Sequence, residues 1–203
     1  MKNKYQHNDD GTTFIFVESK SKSFPGKHTI TIDTEDWDKV KEYRWGLGIP
    51  SSRNNYPYAK TSIPHPDGGW RKRSRAGRRA RKEKRRTSLY LHHLLGGKPA
   101  ERMYTDHINN NGLDNRKENL REATSSQNAA NSRSKNNTSR YKGVRKLPDI
   151  KSGSRQWQAR VKHNYREIHV GCFHTEEEAA LAYNEKAVEL WGEHAHLNKV
   201  EIQ

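Results

Sequence analysis

The segment from residue 88 to residue 128 concentrates side chains that can do acid–base and metal chemistry. It contains adjacent histidines, His92 and His93, then the pair Asp106–His107 and several asparagines. A strand ending in Asp–His, an Asn- and Gly-rich loop and a short helix would bring one carboxylate, one imidazole and one amide oxygen together. Mg²⁺ prefers such hard oxygen ligands, and a neutral imidazole accepts a proton from water near neutral pH. The pattern therefore predicts metal-assisted phosphodiester hydrolysis.

Four pieces of this segment resemble the HNH nucleases, specifically their homing-endonuclease branch. The pieces read HHLL at 92–95, DHINNN at 106–111, NRKENLR at 115–121 and TSSQN at 124–128. The resemblance implies a ββα-metal fold in which Asp106 binds the metal and His107 is the general base. It also implies that Asn128, on the helix opened by Thr124, is the second metal ligand.

The same resemblance gives supporting roles to two further residues. Asn119 is expected to brace the loop, and His92 to support the site through a hydrogen bond; the alternative for His92 is a histidine on the surface of a strand. His93 stands where the family commonly has Arg. The run Asn109–Asn111 is better explained as a turn, because Asn tolerates left-handed backbone and bonds its own backbone. The implied cofactor is Mg²⁺, or another divalent cation such as Mn²⁺.

The last 60 residues predict three antiparallel strands followed by a helix. The strands read YKGVRK at 141–146, QWQARVKH at 156–163 and YREIHVGCF at 165–173. Alternation sorts their side chains into one apolar face and one mostly basic face. The helix is marked by a T-x-x-E capping box at Thr175 and Glu178 and by Gly192 as its terminator. Its apolar stripe can cover the apolar face of the sheet, which leaves the basic face open.

Residues 139–198 resemble the DNA-binding domain of plant ethylene-response factors. The similarity is carried by YKGVR, by W-x-A-x-V and by the run GCFHTEEEAALAY. It implies that the sheet lies in the major groove of double-stranded DNA. The residues at the matching contact positions are Lys142, Arg145, Arg160, Lys162 and His169. Glu167 falls where that family has a base-contacting Arg, so a different base preference is expected.

The strongest charge cluster is the segment RKRSRAGRRARKEKRR at 71–86, which we call the basic segment. It holds eleven basic residues and one acidic residue. Like charges repel and nothing apolar is available to bury, so the segment is expected to be disordered when free and inserted between two strands. A phosphate-binding arm is the favoured interpretation, and a solubilising loop and a nuclear-import signal are the alternatives. The proposed DNA contacts there are Arg71, Arg73, Arg75, Arg78 and Arg79.

The N-terminal part predicts a small β-rich module. Strands are expected at 12–17, 28–32 and 56–63, with a short amphipathic helix in between that uses Trp37, Val40, Tyr43 and Trp45. The stretch from Thr31 to Leu47, followed by YAKTSI, resembles the leader that precedes the nuclease motif in the same homing branch. The expected divisions of the chain are 1–63, the basic insertion 64–87, the nuclease motif 88–133, a linker 134–140 and the sheet domain 141–198. The expected fold class is α+β.

Composition limits the remaining choices. The chain has 203 residues, a formal charge of +15 and only 30% hydrophobic residues, which favours several small modules over one large core. The single cysteine, Cys172, excludes an internal disulfide and argues against structural zinc. No membrane segment or secretory leader is seen, so a cytoplasmic protein is expected. Because each chain has one nuclease motif, a monomer is favoured over a homodimer. The rival functions are a non-catalytic DNA-binding regulator and, third, an RNA-binding protein.

Overall fold

The computed structural model describes residues 3–48, 56–73, 81–97, 99–132, 138–148, 154–164 and 166–201, with the backbone alone at 70–73 and 81–83. The chain forms two compact units. The first unit comprises Met1–Pro99 and Asn111–Arg121, and the second comprises Ala100–Asn110 and Glu122–Gln203. Both contain small antiparallel sheets and few helices, which confirms the predicted α+β class.

The first unit opens with a three-stranded antiparallel sheet in the order β1-β2-β3. Its strands are β1 (Lys4–His7), β2 (Thr12–Lys20) and β3 (Pro25–Asp33). Ile15 lies opposite Ile30 in the β2–β3 ladder, and both side chains are buried. Burial of every second residue follows from a sheet with one face on a core. β2 and β3 contain the two strands predicted here, whereas β1 was not predicted.

The helix after β3 is shorter than predicted. A 3₁₀ turn at Thr34–Asp36 leads into α1 (Trp37–Val40), which is a single helical turn. Trp45, assigned to the apolar side of the helix, lies beyond its end. It is buried nonetheless, because its Nε1 donates to the Val40 carbonyl at 3.0 Å and its backbone N donates to Asn3 Oδ1 at 2.8 Å. These tertiary hydrogen bonds replace the expected extra turn of helix.

Among the described residues between 46 and 97, the first unit has five further strands and one helix. They are β4 (Gly46–Gly48), β5 (Tyr58–Pro64), β6 (Trp70–Arg73), β7 (Arg81–Lys84), β8 (Arg86–Tyr90) and α2 (Leu91–Gly96). β5 pairs with β4 and with β8, and β6 pairs with β7. The basic segment is therefore inserted between the neighbouring strands β5 and β8.

The two ends of the basic segment lie in β6 and β7, which pair with each other; disorder of the free segment stays a prediction. The backbone N of His65 donates to the Arg85 carbonyl at 2.9 Å, and that of Arg85 donates to the Gly69 carbonyl at 2.7 Å. These bonds continue the β5–β8 ladder toward β6 and β7. Hydrogen bonds between main chains form irrespective of side-chain charge. The amino-acid composition therefore does not show this pairing. Residues 74–80 lie outside the described residues.

The remaining elements follow residue 100. They are β9 (Met103–His107), β10 (Leu120–Thr124), α3 (Ser125–Asn131), β11 (Val144–Lys146), β12 (Trp157–His163), β13 (Arg166–Phe173) and α4 (Glu176–Trp191), with 3₁₀ turns at Lys117–Asn119 and Gly192–His194. β9 and β10 form a two-stranded sheet, and β11, β12 and β13 form a three-stranded antiparallel sheet. None of the helices in the described ranges has the length and apolar character needed to span a bilayer.

The three-stranded sheet has the two faces predicted from alternation. Ala159 and Val161 of β12 are buried, whereas Lys162 is exposed. The register of β12 and β13 shifts between Ala159 and Arg160, and Arg160 lies opposite His169. The predicted polar face is therefore present despite the irregularity.

Capping boxes begin both longer helices of the second unit. The side chains of Thr124 and Gln127 exchange hydrogen bonds with the backbone at the start of α3, and Thr175 and Glu178 do so at the start of α4. Gly192 follows the last residue of α4 with a φ of +54°. The helix signals read from the sequence are confirmed at these positions.

α3 packs on the C-terminal sheet and helix. Ala130 of α3 is buried in the same apolar core as Val144 of β11 and Tyr183 of α4. The backbone N of His196 also donates to the Ala130 carbonyl at 3.4 Å. The second unit thus contains part of the expected nuclease motif as well as the expected sheet domain, and a linker at 134–140 stays a prediction. Residues 133–137 lie outside the described residues.

Gly143 lies where the chain passes under the Tyr183 ring. Its φ is +73°, and a Cβ built on it would lie 2.0 Å from Tyr183 Cδ2 and 2.6 Å from the Arg160 carbonyl oxygen. The Gly143 carbonyl accepts the backbone N–H of Arg160 at 2.8 Å. Both the left-handed backbone and the lack of space therefore require glycine here.

We expect Gly143→Ala to lower the free energy of unfolding by about 2–5 kcal/mol. Overpacking contributes ~1–3 kcal/mol, and the left-handed backbone contributes ~1–2 kcal/mol. Gly192→Ala is the matched control, since Gly192 has a positive φ but no atom within 4 Å of a built Cβ. Urea unfolding followed by tryptophan fluorescence measures both variants. Equal losses would show that the space under Tyr183 is not limiting.

Candidate functional site

Asp106 and His107 are the last two residues of β9. Both are buried, with exposed fractions of 6% and 5%. Two adjacent polar side chains at the end of a strand, with so little exposure, need defined partners in the protein. The strand therefore places a carboxylate and an imidazole at one location, as predicted.

An amide from α3 holds the Asp106 carboxylate. Asn131 Nδ2 lies 3.1 Å from Asp106 Oδ1, 2.9 Å from Asp106 Oδ2 and 2.9 Å from the His107 carbonyl oxygen. Asn131 Oδ1 accepts from Asn110 Nδ2 at 3.0 Å. Since three acceptors surround Nδ2, the nitrogen and not the oxygen of this amide must face Asp106. Sequence reasoning did not find Asn131.

Asn128 lies one turn before Asn131 on α3 and is exposed. Residues three apart are neighbours on a helix surface, so Asn128 is on the side of α3 that carries Asn131. Its function as the second metal ligand stays a prediction. The i, i+3 spacing of the two asparagines is the sequence signal that would have pointed to Asn131.

Asn110 forms the turn after β9. Its φ is +58°, and its backbone N donates to the His107 carbonyl at 2.9 Å. This agrees with the expectation that the Asn109–Asn111 run makes a turn. The side chain has a further function, because Asn110 Nδ2 contacts Asn131 Oδ1 and lies 3.4 Å from His196 Nδ1.

Asn119 is in the first unit, within the loop of residues 111–121. It is buried, and its Nδ2 donates to the Asp114 carbonyl at 2.7 Å. Asp114 also pairs with Arg116 through contacts of 2.9 and 2.8 Å, and this pairing raises the pKa of Arg116. The backbone N of Asn115 donates to the Thr31 carbonyl at 2.8 Å, which ties the loop to β3. The NRKEN residues thus build the loop, and a catalytic role for Asn119 stays a prediction.

His92 is also in the first unit, at the start of α2 and not on a strand. It is buried among aromatic rings, with centroids 5.6 Å from Tyr90, 5.5 Å from Tyr58 and 4.3 Å from His93. Burial lowers the pKa of the neighbouring His93. The supporting role of His92 in chemistry stays a prediction.

The polar face of the three-stranded sheet is a hydrogen-bonded layer. Arg145 Nε donates to Gln158 Oε1 at 2.7 Å, and Gln158 Nε2 lies 2.9 Å from His169 Nδ1. Arg160 pairs with both carboxylate oxygens of Glu167, at 2.8 and 3.1 Å. The face therefore carries four of the five predicted DNA contacts of this sheet, namely Arg145, Arg160, Lys162 and His169.

Lys142 makes contacts within the protein, and its role as a DNA contact stays a prediction. Its Nζ donates to the main-chain carbonyls of Ala129, at 3.4 Å, and of Ala130. Burial lowers the pKa of Lys142 to about 8. The ammonium group thus adds a further donor to carbonyls at the end of α3, because the chain folds back onto that helix.

The predicted contacts of the basic segment fall in two groups. Arg71 and Arg73 lie on β6. Arg75, Arg78 and Arg79 lie outside the described residues.

Comparisons with known proteins agree with the geometry at β9 and α3. The family model for the HNH endonuclease matches residues 95–130, a range that contains β9 and most of α3. An uncharacterized HNH endonuclease of Acanthamoeba polyphaga mimivirus is 32% identical over 178 residues, which is 87% of this chain and 79% of that protein. No solved structure gives a significant match. The relative's identity and coverage, together with the matched motif, show that the chain belongs to the HNH endonuclease family.

Proposed function

We propose that this protein is a homing-type endonuclease that uses a divalent metal ion to hydrolyse phosphodiester bonds in double-stranded DNA. The observation that carries the proposal is the end of β9, where Asp106 and His107 are adjacent and buried and Asn131 holds the carboxylate. Membership of the HNH endonuclease family supports nuclease chemistry there. The homing type is supported by the resemblance of the four motif pieces to that branch.

The donor set at this place fits a hard cation. Asp106 offers carboxylate oxygens and Asn128 an amide oxygen, the ligand types that Mg²⁺ and Mn²⁺ take from proteins. Among the described residues, no cluster of three or more His, Cys, Asp or Glu side chains is arranged for a metal. When bound, such an ion would stabilise negative charge on the phosphate and on the leaving oxygen.

His107 is proposed to accept the proton of the attacking water. The water oxygen forms a bond to phosphorus, the bond from phosphorus to the 3′ oxygen breaks, and the 3′ oxygen takes a proton from solvent. The products are a 5′-phosphate and a 3′-hydroxyl. The Asn131 contact to the His107 carbonyl, at 2.9 Å, fixes the backbone that carries the imidazole.

DNA is proposed to bind the polar face of the C-terminal sheet and the basic segment. The hydrogen bonds among Arg145, Gln158 and His169 keep that face ordered. Lys162 is exposed and can contact DNA directly. Arg160 must first break its ion pair with Glu167 before it can bind a DNA phosphate. The ethylene-response-factor-like mode of binding, with the sheet in the major groove, is part of this proposal.

Neutralising the basic segment should weaken binding to all duplexes alike. A variant with Gln at Arg71, Arg73, Arg75, Arg78 and Arg79 removes five positive charges. Each lost phosphate contact lowers the slope of log affinity against log salt by ~0.9, so a decrease of up to about 4–5 is expected. Salt titrations on target and random DNA measure this slope. The control for net charge changes five exposed lysines outside the segment to Gln, namely Lys4, Lys20, Lys22, Lys27 and Lys199. A moved cut site, or a loss confined to target DNA, would show that the segment reads sequence.

Cleavage mapping tests the proposed function. The full chain is incubated with a randomised DNA duplex library in Mg²⁺ and, as a control, in EDTA. A third reaction contains Mg²⁺ and single-stranded RNA as a competitor. Cuts at a restricted set of DNA sites, in Mg²⁺ alone, are expected. Binding without cleavage would favour a regulator with a nuclease scaffold, and competition by RNA would favour an RNA-binding protein.

A further inference from the structure

Asn131 is almost fully enclosed, with an exposed fraction of 3%. Its Nδ2 faces both carboxylate oxygens of Asp106 and the His107 carbonyl, and its Oδ1 accepts from Asn110. A buried amide with all of its polar atoms in use is held in one orientation. The matched family motif ends at residue 130, one residue earlier.

We propose that Asn131 is a positioning residue that fixes the Asp106 carboxylate for metal binding. The proposal rests on the proposed function, since it assumes that Asp106 binds the ion. Carboxylates that bind metals are commonly oriented by a hydrogen bond from a neighbouring group, and loss of that group weakens metal binding or activity. Asn131 supplies such a bond from a separate element, the helix α3.

Asn131 itself is not a ligand in this arrangement. An amide binds a cation through its oxygen, and Asn131 Oδ1 already accepts from Asn110 Nδ2 at 3.0 Å. The exposed Asn128, one turn earlier, remains the proposed ligand from α3. In this proposal Asn128 binds the ion, whereas Asn131 orients the Asp106 carboxylate.

The position of Asn131 is set by the C-terminal part of the chain. Asn110 Nδ2 contacts Asn131 and also lies 3.4 Å from His196 Nδ1. The end of α3 is held by Lys142 at the Ala129 and Ala130 carbonyls. A series of contacts thus leads from the C-terminal segment to the Asp106 carboxylate, within the second unit.

Mn²⁺ binding tests the proposal without relying on turnover. All proteins in this test are the full chain with His107→Ala, so that a short DNA duplex stays uncut. Free Mn²⁺ is measured by electron paramagnetic resonance, and the duplex without protein is the blank. Asn131→Ala and Asn131→Leu, the latter with the same branched shape, should each lower Mn²⁺ affinity by ~10–100-fold. Asn3→Ala is the control: Asn3 makes three hydrogen bonds to the backbone of Phe16 and Trp45 in the first unit, and none of these contacts leads to α3. It should change the melting temperature and not the affinity.

Asn110→Gly is the second variant, and it keeps the site testable if both Asn131 variants fail to fold. Glycine accepts the φ of +58° at residue 110, so this change keeps the turn and removes the side-chain contacts to Asn131 and His196. A smaller loss of Mn²⁺ affinity is expected. Wild-type affinity in the folded Asn131 variants, or in Asn110→Gly if those do not fold, overturns the inference. Absence of metal-dependent cleavage by the wild-type chain would instead overturn the proposed function.

Discussion

Replacing His107 with alanine should lower the rate of Mg²⁺-dependent DNA cleavage by ~10²–10⁴-fold, the usual loss when a general base is removed. Duplex affinity should stay unchanged, because the imidazole acts on water and not on the DNA. Single-turnover cleavage gives the rate, and gel shifts in EDTA give the affinity.

His174→Ala is the matched control for this change. His174 is an exposed histidine of the same unit, and its backbone N donates to Glu178 in the α4 capping region. Cleavage by this control should equal that of the wild type. If His107→Ala cut DNA at the wild-type rate at neutral pH, water activation would have to be assigned to another group.

Replacing Asp106 with asparagine should have a comparably large effect through a different cause. The amide has the size of the carboxylate but lacks its charge, so the ion loses its strongest ligand. Metal ions contribute several kcal/mol of charge stabilisation, and ~1.4 kcal/mol corresponds to tenfold in rate, so a loss of at least about 10²-fold is expected. Calorimetry with Mg²⁺ and uncut duplex should also show weaker ion binding.

Asp38→Asn controls for the loss of one negative charge. The Asp38 side chain is 82% exposed and pairs only with Lys41, three residues later in the first unit. Cleavage and ion affinity should be unaffected. Equal Mg²⁺ affinity in the wild type and in Asp106→Asn would place the metal at another group of residues.

The parts of the fold that depend on local spacing could be predicted. Burial alternates along β2 and β3, where Ile15 and Ile30 face each other, because side chains of a strand alternate between faces. Thr124 and Thr175 start helices because each exchanges hydrogen bonds with the residue three positions later. These relations span a few residues or repeat regularly, so the sequence shows them directly.

The partners of the site could not be predicted in the same way. Asn131 and Asp106 are 25 residues apart, and Lys142 reaches a carbonyl 12 residues away. Such contacts depend on how α3 packs against β9 and the C-terminal sheet, which no periodic pattern encodes. The charge of Lys142 is visible in the sequence, whereas the helix end that Lys142 contacts is visible only in the fold.

Pairing at the ends of the basic segment has a similar explanation. Charge repulsion is read from composition, but the pairing of Arg71 with Glu83 between β6 and β7, next to the β5–β8 ladder, depends on the fold. Composition does not show such main-chain pairing.

The most direct measurement is treatment of supercoiled plasmid DNA with the full-length wild-type chain in Mg²⁺, followed by DNA ligase. Hydrolysis at Asp106 and His107 predicts nicked or linear plasmid in Mg²⁺ and none in EDTA, with ends that ligase reseals because they carry a 5′-phosphate and a 3′-hydroxyl. Plasmid that remains supercoiled in Mg²⁺ and Mn²⁺ while bound by the protein, or ends that ligase cannot reseal, would contradict the account.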